Sequence, residues 1–190
     1  MAEEHCTQDR SAGRPIGSRA TGTRQAGNRN QVLHALFRVD RWSSRSIFAQ
    51  RILQKMKGIA DTGFVVAFLN RSDRHHEWAD EIGMQISEPL LTCDAVLAET
   101  AFQVESVGAV LGLVQEGFLE VAFDLRGNLG EVLELAERYR DRTPDLADLC
   151  LIRMSELYDE LPVFTVDEGD FRVYRRNRRD VIPIVCPPGS

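Results

Sequence analysis

The chain has 190 residues, of which 43% are apolar, so it is long enough for one ordinary domain plus an extension. It contains no run of about 18 apolar residues and starts without an apolar signal region, so we expect neither a membrane span nor a secretion signal. Residues 1–57 hold 11 Lys and Arg against 4 Asp and Glu, whereas residues 58–190 hold 12 against 25.

The cysteines do not form a pattern that binds metal. Cys6, Cys93, Cys150 and Cys186 are widely spaced, and no two of them form a CxxC pair. We therefore expect free thiols in a reducing, cytoplasmic environment. No GxGxxG motif follows a strand and no GxSxG motif occurs, which excludes the usual dinucleotide-binding enzymes and the hydrolases with a nucleophile elbow.

The basic first part of the chain shows little folding pattern. Residues 1–30 are rich in Arg, Gly, Ser, Thr, Gln and Asn and have no helical or strand period, so we predict disorder. Residues 31–57 have a ragged apolar pattern. This extension is either an arm that binds RNA or a partner, or a dispensable leader with Met56 as the true start. We place the domain boundaries at 1–57 for the extension and 58–188 for the folded domain.

From residue 58 short apolar strands alternate with amphipathic helices. A strand at 58–60 is followed by helices at 62–70 and 74–84, and a strand at 89–92 by helices at 94–106 and 107–116. A strand at 119–123 is followed by helices at 129–140 and 145–158, and strands at 163–166 and 181–185 close the chain. Strands separated by helices predict an α/β fold, with a parallel sheet covered on both faces.

Two aspartates come directly after predicted strands. Asp61 follows the first strand and Asp167 follows the fourth. In an open α/β sheet, ligands bind in the crevice beyond the carboxyl ends of the strands. The two carboxylates therefore face one crevice if their strands are neighbours.

Two further carboxylates lie inside predicted helices. Glu99 and Asp148 each have three apolar residues among the four neighbours one turn away, and neither has a Lys or Arg there. A half-buried carboxylate must be protonated, paired or bound to a cation. One shared ion would satisfy both of them together with Asp61 and Asp167. An oxygen-only ligand set suits Mg²⁺ or Mn²⁺ better than Zn²⁺.

Each of these carboxylates also has an ordinary structural explanation. Asp61 is a natural helix start, Glu99 can form a hydrogen bond within the core, and Asp148 suits the first turn of a helix dipole. Asp145 fits a helix N-cap. Asp167 and Asp170 can act as turn residues, although Asp170 is also a possible metal ligand.

Four segments together resemble the PIN domain family, in the family's order. They are IADTG at 59–63 with the helix that follows it, LTCDAVLAETA at 91–101, DLADLCL at 145–151 and FTVDEGDF at 164–171. The resemblance covers about residues 58–186, or roughly two-thirds of the chain. A single segment would be weak evidence, but four segments in the family's order are a specific indication of this family.

The resemblance implies a Rossmann-like PIN fold with about five parallel strands and the activity of a VapC-type, metal-dependent endoribonuclease. Such proteins are often toxins of bacterial toxin–antitoxin modules, inhibited by a small antitoxin protein and commonly dimeric. Carried over by position, the catalytic and metal-binding residues are Asp61, Glu99, Asp148 and Asp167, and Asp170 falls on an acidic position that the family sometimes uses. The basic extension and the very acidic turn at 167–170 depart from the family pattern.

A basic segment follows the last acidic motif. Five of the folded domain's twelve basic residues lie within eight positions, namely Arg172, Arg175, Arg176, Arg178 and Arg179. Arginine pairs well with phosphate, and aromatic side chains stack on unpaired bases. We predict that this segment grips RNA; the alternative is a solvated loop between two strands. The competing function is a catalytically silent PIN module that binds RNA or a protein.

Overall fold

The computed structural model describes residues 56–189. Within this range, the strands are β1 (Ile59–Ala60), β2 (Leu90–Thr92), β3 (Leu119–Val121), β4 (Val163–Phe164), β5 (Arg175–Arg176), β6 (Asp180–Val181) and β7 (Ile184–Val185). Five of them form one sheet in the order β3-β2-β1-β4-β7, and every pairing in it is parallel. The remaining two, β5 and β6, form an antiparallel hairpin.

Helices cover the sheet and connect its strands. In the described range they are α1 (Thr62–Leu69), α2 (His76–Gly83), α3 (Asp94–Gln103), α4 (Val107–Gln115), α5 (Leu129–Arg138), α6 (Leu146–Leu157) and α7 (Glu168–Val173), with a 3₁₀ turn at Arg140–Arg142. The predicted α/β class, with a five-stranded parallel sheet flanked by helices, is confirmed.

The centre of the sheet is the most deeply buried part of the fold. Ile59 in β1 is paired with Leu91 on one side and Val163 on the other, and both residues of β1 are fully buried. Helices cover both faces of a parallel sheet, which is why its strands read as apolar runs in the sequence. The ring of Phe64 packs edge-on against Trp78 and also contacts Phe164, so α1 is fixed against the sheet.

Three helices of this fold have an aspartate as their N-cap residue. Asp61 caps α1, Asp145 caps α6 through a 2.8 Å bond from the Asp148 N–H, and Asp167 caps α7 through a 3.0 Å bond from the Asp170 N–H. Aspartate is a favoured N-cap because its oxygen accepts a backbone N–H that has no partner within the helix. A local rule of helix initiation therefore supplies much of the acidic charge of the candidate site.

The segment after Asp170 is not a simple loop between two strands, which was the alternative to RNA binding. Residues up to Val173 form α7, and β5 and β6 form a hairpin whose turn residues Asn177 and Arg178 have φ values of 48° and 68°. Positive φ at both central residues suits the twist of a tight hairpin. An arginine in a left-handed conformation gives no sequence signal, so the pattern does not reveal the turn.

The predicted strand at 181–185 is in fact two strands. Val181 belongs to the hairpin, whereas Ile184 and Val185 pair with β4 in the main sheet. Pro183 separates them, and proline has no N–H to donate to a ladder. Its carbonyl oxygen still accepts a hydrogen bond from the N–H of Val163, at 2.8 Å.

The described contacts begin at the end of the basic extension. Met56 bridges to Ile86, and Nζ of Lys57 lies 2.6 Å from a carboxylate oxygen of Glu88. The predictions made for residues 1–55, which include Cys6, lie outside the described residues. Cys93, Cys150 and Cys186 are free thiols. No helix within residues 56–189 is long and apolar enough to cross a bilayer.

Candidate active site

Asp61 lies at the point where β1 ends and α1 begins, with only 8% of its surface exposed. One carboxylate oxygen accepts the Thr62 N–H and the other accepts the hydroxyl of Thr165, both at 2.6 Å. Burial raises the pKa of Asp61 to about 6, against the opposing effect of these two hydrogen bonds, and the charges of Glu99 and Asp145 raise it further.

Glu99 is connected to Asp61 through a threonine. The Thr62 hydroxyl donates a 2.9 Å hydrogen bond to Oε2 of Glu99, and Gln103 donates one of 3.0 Å to Oε1. Thr62 is the first residue of α1, and Glu99 lies in the middle of α3. The first residue of α1 therefore orients the Glu99 carboxylate of α3.

Asp148 is half-buried in the first turn of α6, and its environment also disfavours a negative charge. Burial raises its pKa to about 7, and the charges of Asp145 and then Asp61 contribute further. The Tyr174 hydroxyl donates a hydrogen bond of 3.3 Å to Oδ2 of Asp148 and partly offsets this effect. Asp145 thus lies close enough to raise the pKa values of both Asp61 and Asp148, and Asp61 close enough to raise that of Asp148.

Asp167 and Asp170 occupy an exposed rim beside this group. The Asp167 N–H donates a 2.9 Å hydrogen bond to the Thr165 hydroxyl, which in turn donates to Asp61. The Asp167 carboxylate caps α7. Neither carboxylate is among the main causes of the raised pKa values of Asp61 and Asp148.

Gly63 allows this rim to approach α1. A Cβ atom at Gly63 would lie 2.5 Å from a methyl carbon of Val166, which is closer than atoms can pack. Val166 is β-branched and has little rotamer freedom with which to move away. Only glycine at this position lets the loop between Thr165 and Asp167 lie directly against the helix that Asp61 caps.

Two of the five predicted RNA-binding arginines hold backbone carbonyl groups. Nη1 of Arg175 donates to the carbonyl oxygens of Arg172, Val173 and Tyr174 at 2.6–3.1 Å. Such carbonyls at the end of a helix have no partner within it, so Arg175 acts as a C-terminal cap for α7. Arg176 donates to the carbonyl of Asp159 at 2.5 Å.

The other three predicted arginines remain at the surface. Arg172 pairs with Glu168 at 2.5 Å and Arg178 with Glu134 at 3.4 Å, and the arginine side chains are 71% and 73% exposed. The side chain of Arg179 is also exposed, and within residues 56–189 only its backbone N–H forms a hydrogen bond, to the Arg176 carbonyl oxygen. Exposed ion pairs are weak, so these side chains are available to an anionic ligand.

A comparison with protein families identifies the fold. The model of the PIN domain family matches residues 59–177, which is more than half of the chain. The chain belongs to the PIN domain family. PIN domains are generally nucleases and typically use divalent metal ions. A search of curated proteins finds no match to this chain.

The carboxylates of this PIN domain form a donor set made only of oxygen atoms. Within residues 56–189, no group of three or more His, Cys, Asp or Glu side chains is arranged so that it could hold a metal ion. Mg²⁺ commonly binds through only one or two carboxylates and keeps several waters. The donor set and the mutual repulsion of Asp61 and Asp148 therefore fit a hydrated divalent cation.

Sequence patterns alone did not identify four contributors to this PIN site. Thr62 and Thr165 each follow a strand closely, and that position at the carboxyl edge of the sheet was an available signal. Asp145 was predicted as an N-cap, which is confirmed, but its charge also acts on Asp61 and Asp148. Nothing local to Tyr174 indicates that its hydroxyl meets Asp148.

Proposed function

We propose that this PIN domain is a metal-dependent endoribonuclease that hydrolyses phosphodiester bonds in RNA. The observation that carries the proposal is the pair Asp61 and Asp148, whose pKa values burial and neighbouring acids raise to about 6 and about 7. Burying like charges together opposes folding and needs compensation. Carboxyl groups perturbed in this way and gathered at the ligand-binding edge of a sheet are typical of functional sites.

Mg²⁺ or Mn²⁺ is the cofactor that suits these residues. Asp61 and Asp148 would hold the hydrated ion directly, and Glu99, Asp167 and Asp170, which the sequence also suggests as ligands, would contact it through its waters. When bound, such an ion neutralises the charge that develops on a phosphate during hydrolysis. The protein's own part is to fix the carboxylates in place, which Thr62 and Thr165 do through their hydroxyl groups.

We expect RNA to reach the acidic site along a basic border, which consists of the exposed side chains of Arg172, Arg178 and Arg179. Arg172, Arg178 and Arg179 are exposed, and phosphate groups can replace their weak surface partners. Arg175 and Arg176 stabilise the segment that carries this border, because they donate hydrogen bonds to a carbonyl oxygen of α7 and to that of Asp159. This division modifies the sequence-based hypothesis, in which all five arginines contact RNA.

The biological part of the proposal is a cytoplasmic toxin of a toxin–antitoxin module, with a cognate antitoxin protein and a homodimeric assembly. Phe102, Val107 and Leu111, on α3 and α4, are 84%, 63% and 55% exposed. Neighbouring exposed apolar side chains of this size are typical of surfaces that another protein covers. We propose that this face forms the homodimer interface.

The enzymatic proposal is tested with purified full-length chain and a single-stranded RNA substrate. We expect cleavage with Mg²⁺ or Mn²⁺, no cleavage with EDTA, and at least about a 100-fold loss of rate in Asp61→Asn. Asp73→Asn is the matched control, because Asp73 also accepts a backbone N–H close to its own position but lies beyond the opposite end of α1. This control should retain the wild-type rate.

The alternative is a PIN module that binds RNA or a protein without cutting. It is favoured by the finding that, within residues 56–189, no three or more acidic, His or Cys side chains are grouped so that they could hold a metal ion. RNA binding by pure, antitoxin-free protein, with no metal-dependent cleavage, would support this alternative. Equal cleavage rates in the wild type and Asp61→Asn would instead indicate a contaminating nuclease.

A further inference from the structure

Tyr174 connects the C-terminal part of the domain to the candidate metal site. It follows α7 directly, and its hydroxyl lies 3.3 Å from Oδ2 of Asp148 in α6. The sequence suggests that an aromatic residue within this basic segment stacks on RNA bases. With 2% of its surface exposed, the Tyr174 ring is not available for stacking.

Packing holds the Tyr174 ring in place. Its ring centre is 5.0 Å from that of Tyr139 and 5.9 Å from that of Phe171, with edge-on or nearly edge-on geometry in both pairs. Such aromatic pairs stabilise a fold beyond the effect of their buried area. The ring is therefore fixed without the help of its hydroxyl, and the hydroxyl is aimed at Asp148.

We propose that Tyr174 is a positioning residue that fixes the orientation of Asp148 for binding a divalent cation. A carboxylate with one oxygen held by a donor presents its other oxygen in a defined direction. When a residue that forms a hydrogen bond to a metal ligand is removed, metal affinity typically falls about 10–100-fold. This inference rests on the proposed function, because it requires that Asp148 takes part in binding the ion.

The same contact couples two parts of the fold. Tyr174 lies at the end of α7, which Asp167 begins, so its bond to Asp148 ties the exposed rim to α6. Tyr139 forms a second tie, because its hydroxyl accepts the Arg175 N–H at 2.8 Å. The first bond ends on a candidate metal ligand, whereas the second ends on backbone.

This difference provides a matched pair of variants. Tyr174→Phe and Tyr139→Phe each remove one hydroxyl from the same packed ring pair and leave the rings in place. We expect Tyr174→Phe to bind Mn²⁺ about 10-fold more weakly by calorimetry. Tyr139→Phe should bind Mn²⁺ as the wild type does, and thermal unfolding of the metal-free proteins should show that both variants fold.

A double-mutant cycle tests whether Tyr174 acts through Asp148. In an Asp148→Asn background, Tyr174→Phe should cause no further loss of Mn²⁺ affinity. Equal affinities in the wild type and Tyr174→Phe would overturn the inference while leaving the metal site intact. Equal weakening by both tyrosine variants would also overturn it, because it would indicate general loosening. Failure of the wild type itself to bind Mn²⁺ would overturn the proposed metal site together with the inference.

Discussion

The Thr165 hydroxyl donates a 2.6 Å hydrogen bond to Oδ2 of Asp61 and accepts one of 2.9 Å from the Asp167 N–H. The hydroxyl acts in both directions, because its only proton is directed at Asp61 while one lone pair of its oxygen accepts the backbone N–H. One side chain therefore fixes a buried carboxylate and the turn that carries the rim acids. Asp61 and Thr165 are 104 residues apart in sequence.

Thr165→Val, which keeps the shape of the side chain and removes its hydroxyl, tests this relationship. We expect weaker Mn²⁺ binding, slower RNA cleavage and a loss of about 1–3 kcal/mol in unfolding free energy, because a buried oxygen and a backbone N–H lose their partner. Calorimetry, a cleavage assay and urea unfolding measure the three effects.

Thr165→Ser is the control for that substitution, because it restores the hydroxyl. Serine should recover most of the affinity and the rate. If valine and serine variants both behave as the wild type does, the hydroxyl has no part in organising the site.

The metal-free protein should become less stable as pH rises from 5 to 8. Asp61 and Asp148 bind their protons more tightly in the folded chain, with pKa values of about 6 and about 7, than at the ordinary Asp value of 3.8. Below about pH 4 both carboxyl groups are protonated in the folded and the unfolded chain, so they do not oppose folding. Stability is lost as pH rises above this value and through the folded-state pKa values of about 6 and about 7. For Asp61 the full loss, which accumulates between about pH 4 and pH 6, is on the order of 3 kcal/mol.

Urea unfolding in EDTA at several pH values measures this dependence. Asp148→Asn should flatten the decline and stabilise the metal-free protein at pH 8, whereas Asp73→Asn should keep the wild-type slope. Saturating Mg²⁺ should oppose the decline, since the cation favours the ionised carboxylates. A stability that rises across this range in the wild type would contradict the assignment.

The arginines of the C-terminal segment should separate into two groups when each is replaced by alanine. Arg179→Ala should weaken RNA binding and reduce the slope of log affinity against log salt concentration by about 0.7, the value for one phosphate contact on a single strand. Arg175→Ala should instead lower the unfolding free energy by about 1–2 kcal/mol, because the end of α7 loses its cap.

Fluorescence anisotropy at several salt concentrations, in the Asp61→Asn background to prevent cleavage, measures the RNA effect. Arg74→Ala is a suitable control, because Arg74 is exposed and precedes α2, far along the chain from the basic segment. An unchanged salt slope in Arg179→Ala would remove this residue from the RNA-binding surface.

Several features of the site could be predicted because they depend on local sequence. Asp61 and Asp167 follow apolar strands, and the strand-then-helix order places such positions at one edge of a parallel sheet. The N-cap at Asp145 was equally visible, since helix initiation depends on only a few neighbouring residues. The partners of the arginines were not visible, because Arg176 and Arg178 contact Asp159 and Glu134, which lie 17 and 44 residues away.

The sequence by itself determined the alternation of strands and helices, the acidic chemistry of the site and membership of the family, since periodicity, caps and motifs are short-range patterns. Only the tertiary structure decided which hydroxyl groups hold which carboxylates, how far burial raises the pKa values of Asp61 and Asp148, and that Tyr174 faces Asp148. These properties depend on water being excluded, and on groups from distant segments approaching within hydrogen-bond distance. Both happen only when the helices pack on the sheet.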